Sequence, residues 1–146
     1  MKKFFYFLQF IFIKFFFIFL QILPFNISKK LSSLIFRIAG KLSSADKTAI
    51  NNCKFVFPDL EHNKIRKIID NSWGNIGENI CELLKFKEVI NNNNIILSGL
   101  DNIKNIKKNG QQAIFISIHQ SNWEILVPML ERLDLDIGGI YRHINN

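Results

Sequence analysis

His119 and Glu124 are the two residues of this sequence whose types and spacing are best suited to chemistry. A carboxylate beside an imidazole fixes its tautomer and stabilises its protonated form, which makes the histidine a general base. Such a base suits removal of the proton from a hydroxyl group that attacks an activated acyl carbonyl. The same two residues also fit a purely structural interpretation, because a glutamate in the first turn of a helix complements the helix dipole.

The residues around this pair predict how it is positioned. The apolar run Ala113–Ile118 predicts a strand buried on both faces, with His119 at its carboxyl end, where α/β folds place their ligands. Ser121 or Asn122 can cap the helix that follows, which puts Glu124 in its first turn. The amide groups at the start of that helix are then available to hold an oxyanion.

Further strands are predicted on both sides of this corner. Residues 95–97 form a short strand candidate, and a helix is expected from about Leu100 to Lys108, with Asn109-Gly110 as its stop. Residues 137–141 begin another strand. An alternation of strands and helices is typical of an α/β sheet, so the sequence predicts helices that lead into a partial α/β sheet.

The first half of the chain reads as helical. An amphipathic helix is predicted from Ser28 to about Gly40, and Ser44 or Asp46 offers a fresh helix start. Residues 52–58 indicate a helix end followed by a turn. Spacings of three and four between apolar residues over 61–86 predict a long helix with one buried face. Two glycines within it, Gly74 and Gly77, indicate close approach of another backbone.

The segment Phe4–Leu23 is long and apolar enough to be a membrane anchor. Its central Lys14 costs about 3 kcal/mol on the insertion scale, whereas sixteen Phe, Ile and Leu residues contribute about −6 kcal/mol in total. Insertion is therefore favoured, either as a transmembrane helix or as an interfacial helix in one leaflet. Basic residues after the anchor outnumber Lys2 and Lys3, which predicts a cytoplasmic body. We expect residues 1–25 to form the anchor and 26–146 the body.

The net charge of +7 is unevenly distributed, with +6 carried by residues 26–108. A basic body behind an anchor favours anionic lipid or an acidic partner. Nucleic acid is not expected, because the basic residues lack interleaved aromatic residues and no DNA- or RNA-binding signature is present. Cys53 and Cys81, 28 positions apart, are expected to be reduced thiols, and no spacing of Cys and His predicts a zinc site.

The stretch from His119 to Glu124 resembles the H-x4-D/E signature of membrane acyltransferases, and more narrowly the His-x-x-Asn-Trp-Glu form of the lipid A biosynthesis acyltransferases. The resemblance extends over about residues 45–146 in the family's order. It includes Asn51–Pro58, Glu78–Lys85, Gly99–Asn102, Gly110–Phe115 and Tyr141-Arg142, the last followed here by His143 where proline is usual.

This resemblance implies an enzyme on the cytoplasmic face of a bacterial inner membrane. It would transfer a fatty acyl chain from acyl carrier protein to a hydroxyl of a lipid A precursor. His119 would be the general base and Glu124 its partner, and Asn122 and Arg142 are candidates for substrate binding. No metal or organic cofactor is expected. The acidic acyl carrier protein would suit the basic body.

Members of that family extend beyond the point where this sequence stops, so we expect the N-terminal portion of an acyltransferase domain. Two alternatives stay open at this point. The acceptor can be a lysophospholipid or another glycolipid, because most acceptor-binding residues would lie beyond Asn146. The chain can also be an inactive membrane-anchored fragment of such an enzyme.

Overall fold

The described part of the chain, residues 2–91, 95–118 and 120–140 of a computed structural model, consists mainly of helices. In chain order these are α1 (Lys2–Ile22), α2 (Phe25–Leu42), α3 (Ser44–Val56), α4 (His62–Leu84), α5 (Phe86–Asn91), α6 (Leu100–Lys108), a 3-10 turn (Trp123–Ile125) and α7 (Leu126–Glu131). The chain divides into two units, residues 1–94 and 95–146.

The predicted α/β sheet is wrong: the described residues contain no strand. The stretches 95–97, 113–118 and 137–140 lie outside helices and do not pair, and Tyr141 falls outside the described residues. Ile114 and Ile116 are each 91% exposed, although an inner strand would bury them. The physical reason is that an apolar run indicates only that a segment favours burial. A strand also requires a neighbouring strand that forms backbone hydrogen bonds with it.

The helix predictions are largely confirmed. The predicted helices over 4–23, 61–86 and 100–108 correspond to α1, α4 and α6. The start at Ser44 is also confirmed, but α3 continues to Val56, beyond the turn expected from Asn52. The apolar stripe of α4 is only partly internal. Ile65 and Ile69 are buried, whereas Ile68, Ile76 and Leu83 are exposed.

Helices α2 and α4 approach each other through small residues. A Cβ atom added at Gly77 would lie 2.5 Å from the Ser32 carbonyl oxygen, so only glycine fits there without moving the backbone. The Ser32 hydroxyl donates a hydrogen bond of 2.6 Å to the Gly77 carbonyl. Ser28 and Ser32 are fully buried in this contact. The close approach expected at Gly77 is therefore confirmed.

Ion pairs surround this contact. Lys29 lies 2.5 Å from Glu82 and 3.4 Å from Glu78 on α4. Arg37 and Lys41, farther along α2, both pair with Asp70. These pairs fix the register of the two helices, because each joins a residue of α2 to one of α4.

Helix α3 completes the packing of the first unit. Cys53 packs with Ile65 and Ile69 of α4 in a small apolar cluster, and Trp73 lies at its edge. The buried Asp46 accepts hydrogen bonds from Trp73 Nε1 at 2.8 Å and from Arg66 at 2.5 Å. A buried carboxylate is stable only with such partners, so Asp46 ties α3 to α4.

The junction between α1 and α2 is held by the end of α4. Pro24, with ψ of 143°, takes the chain out of the helical path. The Ser28 hydroxyl donates to the Leu20 carbonyl at 2.8 Å, and the Cys81 thiol donates to the Ser28 hydroxyl at 3.2 Å. The nearly buried Lys85 donates to the Gln21 carbonyl at 3.1 Å. The last carbonyl groups of α1 therefore gain the partners that a helix end needs.

Acid is expected to destabilise the first unit. Hydrogen bonds from Arg66 and Trp73 lower the pKa of Asp46, and those from Lys41 and Arg37 lower the pKa of Asp70. A lowered folded-state pKa contributes stability that is present above the unfolded value of about 3.9 and is lost as pH falls through the folded value. We predict that the thermal unfolding midpoint of the full chain in detergent falls steeply below about pH 4.

The matched control for this prediction is the double variant Asp46→Asn/Asp70→Asn. It removes both carboxylates, so its midpoint at pH 7 is expected to be lower and its dependence on pH between 5 and 2 flatter. If the unfolding midpoint fell with pH equally steeply in the wild type and the double variant, the acid sensitivity would not come from these two residues.

Candidate functional site

The approach to the candidate site begins at the end of α6. Gly110 has a φ of 59°, the Gln111 amide donates to the Ile106 carbonyl at 3.0 Å, and the Gly110 amide donates to the Lys107 carbonyl at 3.1 Å. This pair of hydrogen bonds is the Schellman arrangement that ends many helices at a glycine. The helix stop predicted at Asn109-Gly110 is therefore confirmed. The chain then runs outside any helix over residues 111–118.

Residues 120–125 form a tight corner. The Gln120 amide donates to the Ile118 carbonyl at 2.8 Å, and Ser121 has a φ of 51°. A left-handed conformation costs a residue with a Cβ atom roughly 1–2 kcal/mol, and such residues are concentrated at turns and functional sites. The turn at Ser121 allows the helical segment to begin directly after Asn122.

Asn122 precedes the first helical residue, and Glu124 lies in the first turn of the 3-10 segment. The Ile125 amide donates to the Asn122 carbonyl at 3.3 Å. Of the two residues expected to begin this helix, Ser121 and Asn122, the structure therefore selects Asn122. Glu124 is exposed and Asn122 is half-buried. The carboxylate thus stands at the start of a helix, as the spacing predicts, and solvent reaches it.

Two of the four predicted site residues, His119 and Arg142, lie outside the described residues. The predicted contact between His119 and Glu124 therefore stays a prediction, as does any role of Arg142. The structure places Glu124 and Asn122 two residues apart on the same corner, immediately after His119 in the chain. The left-handed conformation at Ser121 was not predictable from the sequence, because serine adopts it rarely.

An open cleft of about 860 Å³ lies elsewhere in the second unit. Its lining includes Ile106, Phe115 and Leu135, together with Lys107 and Asp134, which form an ion pair. The hydrogen bond from Lys107 lowers the pKa of Asp134. Residues 120–124 do not line this cleft. The cleft lies beside residues 111–115, the first part of the segment that leads to the corner. It was not predictable from the sequence, because its lining combines residues 106–115 with residues 134–136.

The described residues contain no group of three or more His, Cys, Asp and Glu side chains placed to hold a metal ion. Cys53 and Cys81 are free thiols, as expected from their spacing, and both are buried. Burial raises the pKa of the Cys81 thiol, which disfavours its thiolate form. Neither cysteine is suited to act as an exposed nucleophile.

In the described parts of the chain, α1 is the one helix that is long and apolar enough to cross a membrane. Most of its apolar side chains are exposed, and Leu20 at the junction with α2 is buried. A helix with apolar side chains on all sides is stable in lipid or in the core of a large protein. In the described first unit, only the end of α1 is covered.

Comparison with known proteins identifies a family for this chain. No curated protein and no solved structure matches the chain. The family described as bacterial lipid A biosynthesis acyltransferase matches over residues 1–146. The match includes the apolar helix α1, the α2–α4 pair and the corner that carries Asn122 and Glu124. The chain therefore belongs to the bacterial lipid A biosynthesis acyltransferase family.

Proposed function

We propose that this protein transfers a fatty acyl chain from acyl carrier protein to a hydroxyl group of a lipid A precursor. The observation that carries the proposal is the family match over residues 1–146, which supports an acyltransferase of lipid A biosynthesis with a lipid acceptor. The exposed carboxylate of Glu124 at a helix start, five residues after His119, agrees with the chemistry that acyl transfer requires.

In the proposed reaction His119 removes the proton from the acceptor hydroxyl as its oxygen attacks the thioester carbonyl of the donor. The new C–O bond forms and the C–S bond breaks. The proton held by the imidazole then passes to the leaving thiolate, so the histidine returns to its starting state. Only the two substrates are consumed, and His119 is regenerated in each cycle.

Glu124 is proposed to orient His119 and to stabilise its protonated form. The helical segment that follows Asn122 fixes the backbone from which the exposed Glu124 side chain extends, and an acidic side chain is favoured in a first turn. Asn122 and Arg142 are proposed to bind the acceptor. The half-buried position of Asn122 at the same corner supports this role for Asn122.

Helix α1 is proposed to anchor the protein in the bacterial inner membrane, with the body, residues 26–146, on the cytoplasmic face. The family is membrane-associated in bacteria. Lys29, Lys30, Arg37 and Lys41 follow α1, whereas its first two residues, Lys2 and Lys3, are the basic residues at its other end. Three of these four are paired with acidic residues of α4 in the folded unit. Acidic residues contribute little to the positive-inside tendency, so this pairing does not weaken the proposal.

Replacing His119 by alanine is predicted to reduce acyl transfer by about 10²- to 10⁴-fold, because the general base is lost. The assay uses inside-out inner-membrane vesicles that carry the full protein, added acyl carrier protein loaded with a fatty acyl chain, and a lipid A precursor. The product is identified by mass spectrometry. Right-side-out vesicles serve as the control for the cytoplasmic face.

The matched control is His62→Ala, which removes an exposed histidine at the start of α4. It is expected to keep the wild-type rate, and both variants are expected to stay in the membrane fraction. Wild-type transfer by His119→Ala would contradict the catalytic role. Transfer by the wild type to a lysophospholipid and not to the lipid A precursor would contradict the proposed acceptor, and no transfer to either lipid would contradict enzymatic activity.

Glu124→Gln is predicted to lower the rate and to shift the pH dependence of the reaction. The amide keeps the size of the side chain but cannot stabilise a protonated imidazole, so the apparent pKa of the base is expected to fall. Glu131→Gln at the end of α7 is the matched control and is expected to keep both rate and pH profile. A Glu124→Gln profile identical to that of the wild type would contradict the positioning role.

A further inference from the structure

Helix α2 exposes a stripe of four apolar side chains. Ile27, Leu34, Ile38 and Leu42 are 55%, 54%, 54% and 84% exposed. They are separated by seven, four and four positions, which places them along one stripe of the helix. The serines Ser28 and Ser32 are buried instead. In the core of a water-soluble protein the opposite arrangement is expected, with leucine and isoleucine inside and serine outside.

This orientation is fixed by the contact with α4. Gly77 has no room for a Cβ atom beside the Ser32 carbonyl, and the Ser32 hydroxyl bonds to the Gly77 carbonyl. A leucine or isoleucine stripe cannot enter so narrow a contact. The apolar stripe of α2 therefore faces away from α4.

Basic residues border this stripe on one side. Lys30 is exposed, and the side chain of Lys41 is 46% exposed while it pairs with Asp70. At 100° per residue both lie within about a quarter turn of the stripe. An apolar stripe with a lysine edge is the pattern of helices that lie in the interface of an anionic bilayer.

The position of α2 directly after α1 indicates that lipid covers the stripe. Only Leu23 and Pro24 separate the end of α1 from the start of α2. Hydrogen bonds from Ser28 to Leu20 and from Lys85 to Gln21 hold this junction. A helix tied this closely to the end of a membrane anchor starts at the membrane surface. Exposed apolar residues stand on both sides of the junction, Ile22 at the end of α1 and Ile27 at the start of the stripe.

We propose that α2 lies in the headgroup region of an anionic bilayer, with the stripe of Ile27, Leu34, Ile38 and Leu42 immersed and the α4 contact above it. The anchor of the protein is then α1 and α2 together, and α2 sets the orientation of the first unit at the lipid surface. This inference rests on the proposed membrane anchoring by α1.

The test measures the depth of spin labels in vesicles of phosphatidylethanolamine and phosphatidylglycerol. A nitroxide is placed on the full chain at Ile38→Cys, at Phe12→Cys within α1, or at Asn75→Cys, an exposed position of α4 two residues from Gly77. Labelling is selective because the native Cys53 and Cys81 are buried. Collision rates are compared for oxygen, which concentrates in lipid, and a water-soluble nickel complex, which does not.

We expect the Ile38 and Phe12 labels to collide severalfold more with oxygen than with nickel, and the Asn75 label to show the reverse. A lipid signal at Phe12 with a water signal at Ile38 would overturn this inference and leave the α1 anchor intact. A water signal at Phe12 would overturn the proposed anchoring and this inference with it. Shielding of Ile38 from both reagents would mean that protein covers the stripe, and would also overturn the inference.

Discussion

The arrangement of the first unit depends on how closely the backbones of α2 and α4 approach at Ser32 and Gly77. Contacts of this kind are made by small residues, because a larger side chain on either helix would force the backbones apart. The buried serines satisfy their hydroxyl groups within the contact, Ser32 with the Gly77 carbonyl and Ser28 with the Leu20 carbonyl. The contact therefore gains stability from close packing and hydrogen bonds more than from burial of large apolar side chains.

Two consequences follow for the rest of the molecule. The end of α4 reaches the junction of α1 and α2, where Cys81 and Lys85 contact Ser28 and Gln21. Helix α1 is thus joined to the folded body by side-chain hydrogen bonds as well as by the chain itself. The same contact leaves the stripe of Ile27, Leu34, Ile38 and Leu42 exposed in the described first unit, which is the arrangement expected of a helix that meets lipid.

The helices were more predictable from the sequence than the contacts that their faces make. The end of helix α6 was predictable because Gly110 supplies the left-handed residue that a helix stop requires. Helix α4 was predictable because its apolar spacing is sustained over 23 residues. The sheet was not predictable, since the run Ala113–Ile118 shows apolar character but not whether a second strand pairs with it. For α2 the spacing predicted an amphipathic helix, but periodicity alone does not say whether the apolar side meets protein or lipid.

The candidate site was predictable where it depends on local structure. The start of the helix at Asn122 and the place of Glu124 in its first turn follow from residues within one corner. The contact between His119 and Glu124 and the role of Arg142 depend on residues outside the described part of the chain, so they stay predictions. Membership of the acyltransferase family rests on the match along residues 1–146 and is independent of both.

The central structural claim is that α2 buries Ser28 and Ser32 against the rest of the first unit and exposes Leu34 and the other residues of the stripe. The most direct test compares the thermal unfolding midpoints of Ser32→Leu and Leu34→Ser in the full chain in mild detergent. Overpacking of the α4 contact predicts a loss of about 1–3 kcal/mol of unfolding free energy for Ser32→Leu. Because Leu34 is exposed, we expect Leu34→Ser to change the unfolding free energy by no more than about 0.5 kcal/mol. The reverse order, with Leu34→Ser strongly destabilised and Ser32→Leu tolerated, would contradict the claim.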